Sequence, residues 1–333
     1  MTGILVTEHL PAEAYRRMEA HAAQSGHAIE WIHLPADPEG RLDEATIGRI
    51  EAAFYSNEIY ESRPRSFFSA VRKAPKLRWL QTFNAGVDHP IFAEMLQRGI
   101  RLTTAAGTTA VPIAQSAITG LLMLSRGFPN WLRAQREHRW AHVRGGPGLP
   151  RDLAGQTICV LGLGAIGSEI ARLAKALGLN VVGIRRSPRK EGDPVDEIHP
   201  PTELSTVLPR CQWLAIACPL TPETRRLIDA DKLARLPVGA RILNVGRGEI
   251  VDEPALIAAL QSGHVAGAYL DVFEKEPLPA ESPLWDMPEV ICTPHNSGAS
   301  AGNEGRVHEV FIQNVFRWLD EKPLINEVER AGA

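Results

Sequence analysis

The segment TICVLGLGAIGSEIARLAKALG, residues 157–178, decides the fold of this chain. It places Gly162, Gly164 and Gly167 in GxGxxG spacing, after an apolar run and at the start of an amphipathic helix. In this context the first glycine makes a tight turn, the second lets backbone N–H groups approach a pyrophosphate, and the third lets helix and strand pack closely. The segment therefore predicts a dinucleotide-binding βαβ unit. A turn with incidental glycines would not explain the strand, the helix and the following strand together.

Short apolar runs on both sides of this segment alternate with amphipathic segments, which is typical of parallel sheets covered by helices on both faces. The fold class is therefore α/β. The later series contains six strands, enough for a complete dinucleotide-binding sheet: Thr157–Leu161, Asn180–Ile184, Trp213–Ala217, Arg241–Val245, Ala266–Leu270 and Glu289–Cys292. The earlier series predicts a smaller doubly wound unit: Ile4–Val6, Ala28–Ile32, Ala52–Ser56, Trp79–Phe83 and Arg101–Thr103.

Helical segments are predicted between and after these series. The first is Ala12–Gln24, and a long one covers Ala110–Glu137 with an interruption near Gly127 and Pro129, where a helix should bend or stop. Gly145–Pro150 has the composition of a linker. A last amphipathic helix, about Ser300–Leu319, follows the second series and is expected to return to the first unit.

Length, charge and cysteine content exclude several classes of protein. A chain of 333 residues suits two domains, and a net charge of −3 gives no overall field that would recruit nucleic acid or an anionic membrane. Four widely spaced cysteines, Cys159, Cys211, Cys218 and Cys292, favour buried thiols in a reducing compartment. The N-terminus lacks a signal peptide and no apolar run is long enough to span a bilayer, so we expect a cytoplasmic protein.

The end of the strand after the glycine motif bears on cofactor choice. An NAD site usually carries an acidic residue there, which accepts hydrogen bonds from the ribose hydroxyls. Here the residues are Arg185, Arg186 and Ser187. Two guanidiniums and a hydroxyl can bind a 2′-phosphate, and the missing carboxylate removes a repulsion. The pattern favours NADP(H) over NAD(H), although a solvated basic loop would also fit it.

Three further residues suggest chemistry: Arg247, Glu276 and His295, separated by 29 and 19 residues. Each follows a predicted strand, and the carboxyl ends of strands line the ligand crevice of an open α/β sheet. An Arg can bind a substrate carboxylate, a His can exchange the carbonyl proton, and a Glu can orient the imidazole. Each residue alone also has an ordinary structural explanation, but together they indicate a 2-oxo acid reductase.

Several segments of the sequence resemble those of a known protein family. The sequence resembles the D-isomer-specific 2-hydroxyacid dehydrogenases over nearly its whole length, most specifically over about 150 residues. The similar segments are GLGAIG, PLTPETRRLI (219–228), LNVGRGEIVDEPALIAAL (243–260), YLDVFEKEPLP (269–279), TPHNSGAS (293–300) and, less specifically, FNAGVDH (83–89).

The resemblance implies a flavodoxin-like substrate domain, residues 1–103 and 297–333, into which a Rossmann cofactor domain, residues 104–296, is inserted. It also implies catalysis between the two and a homodimer formed through the cofactor domains. By motif, Arg247 binds the substrate carboxylate and carbonyl, His295 is the acid/base, and Glu276 pairs with His295. The amides of Asn84, Ala85 and Gly86 bind the carboxylate.

The resemblance further implies which residues contact the cofactor. Asp271 contacts the nicotinamide carboxamide, and Arg247 and His295 also lie beside the cofactor. The remaining implied cofactor contacts are Gly162, Gly164, Ala165, Ile166, Gly167, Arg185, Arg186, Ser187, Cys218, Pro219, Val245, Gly246 and Gly298.

Two local features depart from this pattern or compete with it. In Pro112–Ser116 the last two positions are Gln-Ser where many members carry Glu-His, which is expected to alter packing behind the substrate loop. His138 and His142 have the spacing of a metal pair on one helix face, but without a third ligand a structural or surface role is favoured. Trp140 between them is expected either to reach a neighbouring subunit's cleft or to be an ordinary interface aromatic residue.

Together these observations predict hydride transfer from NADPH to a small 2-oxo acid, with glyoxylate or hydroxypyruvate favoured, to give the D-2-hydroxy acid. No metal, nucleic acid or membrane partner is expected. Reduction of 2-ketogluconate or phenylpyruvate and a phosphite-type dehydrogenase remain alternatives. A formate-type enzyme is disfavoured because that branch carries Gln where this chain has Glu276. From a different class, a dinucleotide-sensing corepressor or scaffold would use the same fold.

Overall fold

A computed structural model describes residues 1–7, 9–37, 39–87, 89–143 and 149–328. The chain divides into two compact units, Met1–Thr108 with Ala301–Ala333, and Thr109–Ser300. The divisions fall after residues 108 and 300, whereas the sequence places them after residues 103 and 296. Within the described residues, no helix is long and apolar enough to cross a membrane.

The strands and helices alternate along the chain. The strands are β1 (Thr2–Val6), β2 (Ile29–His33), β3 (Ile50–Tyr55), β4 (Trp79–Thr82), β5 (Arg101–Thr103), β6 (Thr157–Leu161), β7 (Asn180–Ile184), β8 (Glu197–His199), β9 (Trp213–Ile216), β10 (Ala240–Asn244), β11 (Val265–Leu270) and β12 (Val290–Cys292). The α-helices are α1 (Ala12–Gln24), α2 (Glu44–Ile47), α3 (Asn57–Ser62), α4 (Pro64–Lys73), α5 (Pro90–Gln97), α6 (Ala110–Arg126), α7 (Phe128–Arg136), α8 (Ala165–Ala176), α9 (Leu204–Val207), α10 (Ala230–Arg235), α11 (Glu253–Gln261) and α12 (Asn303–Leu319).

The first unit contains a parallel sheet with strand order β2-β1-β3-β4-β5. This is the flavodoxin-like order of a doubly wound sheet. The C-terminal helix α12 packs on this unit, as the sequence predicts. Its Phe311 stacks on Phe54 of β3 with ring centroids 4.3 Å apart, and its Glu309 forms two hydrogen bonds, 2.7 and 2.9 Å long, with Arg17 of α1.

The second unit contains a parallel sheet with strand order β12-β11-β10-β9-β6-β7-β8. The six-strand Rossmann order is present, with β12 added beyond it, and the order reverses between β6 and β9. Helix α6 crosses the sheet so closely that a Cβ on Gly120 would lie 2.4 Å from the ring of Tyr269. The predicted α/β class with two parallel sheets is thus confirmed.

Some details differ from the sequence predictions. The second sheet has a strand that the sequence did not predict, β8, because its three residues Glu-Ile-His contain one apolar side chain and are partly exposed. The long helix, by contrast, is interrupted where the sequence predicts, at Gly127, which has φ of +73° and separates α6 from α7. The predicted linker Gly145–Pro150 lies mostly outside the described residues.

Candidate active site

The glycine-rich turn joins β6 to α8. Gly162 has φ of +96°, and a Cβ there would lie 2.7 Å from Cα of Cys218. A Cβ on Gly167 would lie 1.8 Å from the carbonyl oxygen of Gly162, so this glycine lets the helix pack against the turn. At Gly164 a Cβ would meet no atom within 4 Å. Two glycines are therefore needed by the protein's own packing, whereas the space at Gly164 is open to a ligand.

The N-terminus of α8 offers donors at this open space. Ala165 and Ile166 begin the helix, and no side chain among the described residues caps it. Its first N–H groups and its dipole suit an anionic pyrophosphate. The residues present therefore fit a dinucleotide at the point where the strand order reverses between β6 and β9.

The loops after β9 and β10 border the same edge of the sheet. Cys218 and Pro219 follow β9, and Val245 and Gly246 follow β10. Burial raises the pKa of the Cys218 thiol to about 11, so it remains neutral. A Cβ on Gly246 would lie 2.9 Å from the carbonyl oxygen of Cys218. The two loops are therefore in close contact.

Arg185 at the end of β7 is engaged within its own loop. Its guanidinium donates to both carboxylate oxygens of Asp193, at 2.9 and 2.6 Å, and both side chains are about nine-tenths buried. It also donates to the carbonyl oxygens of Ser187 and Pro188. This hydrogen bonding lowers the pKa of Asp193, which also accepts from the backbone N–H of Lys190. Arg185 therefore holds the loop in shape.

Arg186 and Ser187 have a different environment. Both are exposed, and no hydrogen bond or ion pair involves the Arg186 side chain among the described residues. The positive charge of Arg186 makes a small contribution to the lowered pKa of Glu223, which is lowered chiefly by the hydrogen bond of that carboxylate to Thr221. Of the two adjacent arginines, Arg186 is the one whose guanidinium is not committed to the loop.

Arg247 follows β10 and is half-buried. The side chain of Asn244, the last residue of that strand, accepts from the backbone N–H of Gly246 at 3.1 Å and donates to the carbonyl of Arg247 at 3.1 Å. Arg247 Nη1 donates to the Gly246 carbonyl at 2.8 Å. Asn244 is 1% exposed. This buried side chain therefore holds the loop that carries Arg247 in place. None of the sequence motifs indicates Asn244, although a polar residue at the end of a buried strand is a usable signal.

Glu276 and His295 are brought together from the loops after β11 and β12. His295 Nδ1 lies 2.8 Å from Glu276 Oε2, while Glu276 Oε1 accepts from the backbone N–H of Phe273 at 3.1 Å. Side-chain exposure is 36% for Glu276 and 49% for His295. The pair is therefore anchored on the glutamate side and accessible on the histidine side. Arg247 follows the next strand, β10, which neighbours β11.

Asp271 organises the loop that carries His295. Its carboxylate is 1% exposed and accepts from Thr293 Oγ1 at 2.7 Å, from the backbone N–H of Asn296 at 3.0 Å, and from the N–H and hydroxyl of Ser297. Its carbonyl accepts from the N–H of His295 at 2.9 Å. These bonds hold His295 at φ of +53°, a conformation that non-glycine residues rarely adopt.

The next residues of the loop contact α6. Ser116 of α6 donates to the carbonyl of Ser297 at 3.2 Å, and the nearest side-chain atoms around Gly298 belong to Ile113 and Thr109. The expected effect of the Pro112–Ser116 sequence was on packing behind the substrate loop. That effect stays a prediction, and within the second unit the Pro112–Ser116 stretch contacts the loop of His295.

The Asn84–Gly86 loop lies in the first unit, directly after β4. Asn84 donates through its backbone N–H to Thr82 Oγ1 at 3.2 Å and accepts from the N–H of Ala105 at 3.0 Å. Among the described residues, the N–H groups of Ala85 and Gly86 have no protein acceptor. This loop therefore presents backbone donors at the carboxyl edge of the first sheet.

The remaining histidine and tryptophan candidates are exposed. His138 and His142 follow the end of α7, so they do not share a helix face as the spacing suggested, and Trp140 is 91% exposed. No group of three or more His, Cys, Asp or Glu side chains in the described part of the chain could hold a metal. The described cysteines are unpaired thiols; three are buried, but Cys292 is only partly so.

Comparison with known proteins agrees with this geometry. Residues 118–297 match the family described as D-isomer specific 2-hydroxyacid dehydrogenase, NAD binding domain. The chain is 30% identical, over 324 residues, to glyoxylate/hydroxypyruvate reductase B of Yersinia enterocolitica, with 95% of this chain and 94% of that protein covered.

Two solved structures extend the likeness to the whole fold. One is a D-isomer specific 2-hydroxyacid dehydrogenase from Xanthobacter autotrophicus Py2 in complex with NADPH and MES, with a TM-score of 0.75, 31% identity and 98% of each chain covered. The other is an NADPH-dependent glyoxylate/hydroxypyruvate reductase from Sinorhizobium meliloti in complex with NADP and sulfate, with a TM-score of 0.73, 27% identity, and 99% of this chain and 98% of that chain covered. With the family match spanning more than half of its length, the chain belongs to the D-isomer specific 2-hydroxyacid dehydrogenases and is an NAD(P)-dependent oxidoreductase.

Proposed function

We propose that this protein reduces a small 2-oxo acid with NADPH to the D-2-hydroxy acid, glyoxylate and hydroxypyruvate being the favoured substrates. The observation that carries the proposal is the 2.8 Å contact between His295 Nδ1 and Glu276 Oε2. It commits one imidazole nitrogen to the carboxylate, so Nε2 is the nitrogen that exchanges a proton with substrate. The Yersinia and Sinorhizobium relatives, both named as glyoxylate/hydroxypyruvate reductases, support this substrate choice.

In the proposed mechanism, Arg247 binds the substrate carboxylate and carbonyl through its planar set of donors. The backbone N–H groups of Ala85 and Gly86 bind the carboxylate as well, whereas the N–H of Asn84 already donates to Thr82 Oγ1. Bound NADPH supplies a hydride to the carbonyl carbon. His295 Nε2 donates a proton to the carbonyl oxygen, and Glu276 stabilises the imidazolium before this transfer and keeps the ring oriented.

The proposed preference for NADP(H) rests on the loop after β7. No acidic residue follows β7 directly, and Arg185 is committed to Asp193. Arg186 and Ser187 are therefore the residues that we expect to bind the 2′-phosphate. Asp271 is expected to contact the nicotinamide carboxamide. Its carboxylate also accepts hydrogen bonds from the loop of His295, so only its remaining acceptor positions can take part.

Steady-state oxidation of NADPH and of NADH tests this proposal against glyoxylate, hydroxypyruvate, pyruvate and 2-ketogluconate. We expect the highest kcat/KM with NADPH and glyoxylate or hydroxypyruvate. If NADH is the better cofactor, the assignment of Arg186 is wrong while the catalytic residues stand. If none of these acids is reduced although NADPH binds, the proposed reaction is wrong.

The domain roles and the assembly remain predictions. We assign residues 1–103 and 297–333 to substrate binding and residues 104–296 to the cofactor. Cytoplasmic location is expected from the N-terminal sequence and the lack of a long apolar run, and homodimerisation through the cofactor domain is expected from the family resemblance. Phe128, Trp131 and Leu132 of α7 expose apolar surface, which favours such an interface. Light scattering coupled to size-exclusion chromatography measures the mass directly, and a monomer would contradict the expectation.

A further inference from the structure

A cavity of about 430 Å³ lies in the second unit, at the amino edge of its sheet. Its wall contains Gln156, Gln212 and Arg241, which lie at the amino ends of β6, β9 and β10, and Ala266 near the start of β11. The glycine-rich turn and the catalytic candidates of this unit all follow the carboxyl ends of strands. In a parallel sheet the two edges are separated by the length of the strands, about 3.3 Å per residue. The cavity is therefore separate from the candidate cofactor and catalytic residues of the unit.

Arg241 lines this cavity with a guanidinium that has no acceptor in the described part of the chain. The residue is partly buried, and none of the hydrogen bonds or ion pairs among the described residues involves its side chain. Burial, with a further contribution from the positive charge of Arg151, lowers the pKa of Arg241. Because buried charges in proteins are normally paired, a partly buried guanidinium that lacks a partner and lines a cavity points to an anionic ligand.

The aromatic ring beside Arg241 is held in place by hydrogen bonds. The guanidinium carbon of Arg241 lies 5.3 Å from the centre of the Trp213 ring, which is fully buried. Trp213 Nε1 donates to Gln156 Oε1 at 2.8 Å, and Gln156 Nε2 donates to the carbonyl of Asp152 at 2.6 Å. A guanidinium over an aromatic ring keeps the N–H donors at its edge available for an oxyanion. The position of Arg241 is therefore set before a ligand binds.

Two more side chains in the wall can donate to the same ligand. Arg151 is exposed and forms no ion pair among the described residues. Gln212 lies beside Arg241, whose backbone N–H donates to the Gln212 carbonyl at 3.0 Å. Gln212 Oε1 accepts from the backbone N–H of Thr157 at 2.8 Å, so its NH₂ group faces away from that bond and can donate. Among the described lining residues the only acid is Glu289, which pairs with neither arginine, so this wall carries a net positive charge.

We propose that this cavity is a second binding site, which takes a small molecule with a carboxylate or phosphate group. Arg241 and Arg151 bind the oxyanion, and the Gln212 NH₂ group donates to it. Leu124 and Val238, which also line the cavity, offer apolar contacts to the rest of the molecule. A volume of about 430 Å³ lies in the range of small-molecule sites. The site is additional to the proposed reaction and does not depend on the choice of 2-oxo acid.

Titration calorimetry with inorganic phosphate and with succinate tests the site without turnover. The protein is first saturated with its dinucleotide, so that the N-terminus of α8 and the loop after β7 do not bind the probes. We expect at least one probe to bind, and Arg241→Gln and Arg151→Glu each to weaken that binding about tenfold or more, the effect of losing a charge-assisted hydrogen bond. Tighter binding of phosphate would indicate a phosphorylated ligand, and tighter binding of succinate a carboxylic acid.

Two controls assign the bound anion to this cavity. Arg235→Gln removes an exposed guanidinium that does not line the cavity, and it should leave the affinity for the probe unchanged. An anion bound by Arg247 would keep its affinity in Arg241→Gln and in Arg151→Glu, so it is distinguished from an anion bound in the cavity. If neither probe binds, or if both substitutions in the cavity leave the affinity unchanged, the proposed site is wrong.

Two further measurements separate a ligand site from a structural role of the arginines. Arg241→Met keeps an unbranched side chain beside Trp213 and should lose probe binding, while its melting temperature stays within about 3 °C of the wild type because no ion pair is lost. Light scattering reports the mass of the same variants. If Arg241→Gln and Arg151→Glu lower the mass and leave the affinity for the probe unchanged, the arginines form an interface between copies of this chain, and the ligand site is wrong.

Discussion

His295 Nδ1 lies 2.8 Å from Oε2 of Glu276, and the two residues follow neighbouring strands of one parallel sheet. An ionised carboxylate can only accept, so the hydrogen between them belongs to the imidazole. The other carboxylate oxygen is held by the backbone N–H of Phe273. The orientation of the imidazole is therefore set by a chain of contacts that ends in the backbone, and it does not depend on a bound ligand.

Replacement of His295 by Ala should reduce kcat about 10²–10⁴-fold, the usual contribution of a positioned general acid. The affinity for NADPH, measured by fluorescence titration, should change much less because the imidazole acts on substrate. His138→Ala is the control, since that histidine is exposed and follows α7. A kcat within tenfold of the wild-type value would show that another group donates the proton.

Asp271→Asn should destabilise the second unit and misplace His295. The carboxylate accepts from Thr293, Asn296 and Ser297, and an amide would direct its NH₂ group at one or more of these donors. Leaving such buried groups unsatisfied costs about 1–3 kcal/mol of unfolding free energy. Urea unfolding measures this loss.

The exposed Asp286 provides the matched control for this substitution. Asp286→Asn should leave the unfolding free energy within about 0.5 kcal/mol of wild type, as is usual for surface substitutions. Equal losses of unfolding free energy in the two variants would mean that the hydrogen bonds of Asp271 do not stabilise the fold. Glyoxylate reduction by Asp271→Asn should also fall, because the loop of His295 loses its anchor.

Arg186→Gln should raise the KM for NADPH about 10–100-fold, corresponding to the loss of one charge-assisted hydrogen bond to a phosphate. The KM for NADH should be unchanged, because that cofactor has no 2′-phosphate. Arg185→Gln should instead lower the stability of the protein, since it leaves the nearly buried Asp193 without its partner. Binding of 2′-AMP and 5′-AMP, followed by titration calorimetry, provides a readout that does not need turnover.

Arg235→Gln on α10 is the control for loss of a surface guanidinium, because this side chain is exposed and far along the chain from the loop. It should leave both KM values unaltered. If Arg185→Gln discriminates against NADPH as strongly as Arg186→Gln without loss of stability, the division of roles between the two arginines is wrong.

Local sequence patterns predicted most of the fold. The glycines of the β6–α8 turn, the strand β5 and the helix α1 lie where the sequence places them, because each rests on short-range periodicity or on glycine geometry. Strand β8 could not be predicted, since it forms only by pairing with β7 and carries one apolar residue. This strand depends on its pairing with β7, which no local sequence pattern indicates.

The candidate site was predictable in its residues more than in their partners. The family resemblance pairs Glu276 with His295, and the structure places the two side chains in contact, while their catalytic roles stay predictions. The pairing of Arg185 with Asp193 was not foreseen, because both positions are charged residues in a polar loop and nothing in their spacing indicates burial. The bonds of Asp271 to the loop of His295 are not indicated by the sequence either, because they join residues 22–26 positions apart along the chain.

The ion pair between Arg17 of α1 and Glu309 of α12 makes the stability of the first unit depend on pH. Hydrogen bonding to Arg17, with a smaller contribution from Gln313, lowers the pKa of Glu309 from 4.5 to about 2. A carboxyl whose pKa is lower in the folded state stabilises the fold fully above its unfolded pKa and loses that contribution as the pH falls through the folded pKa. The difference in unfolding free energy between wild type and Glu309→Gln should therefore be constant above about pH 5 and shrink between pH 4.5 and about 2. Both side chains are substantially exposed, so we expect the ion pair to contribute at most about 1 kcal/mol to the free energy of unfolding.

Arg17→Gln should reproduce the effect of Glu309→Gln. The double variant should lose little more stability than either single variant when thermal unfolding is followed at pH 3, 4 and 6. A difference that is the same at pH 3 as at pH 6 would mean that the carboxylate charge plays no part.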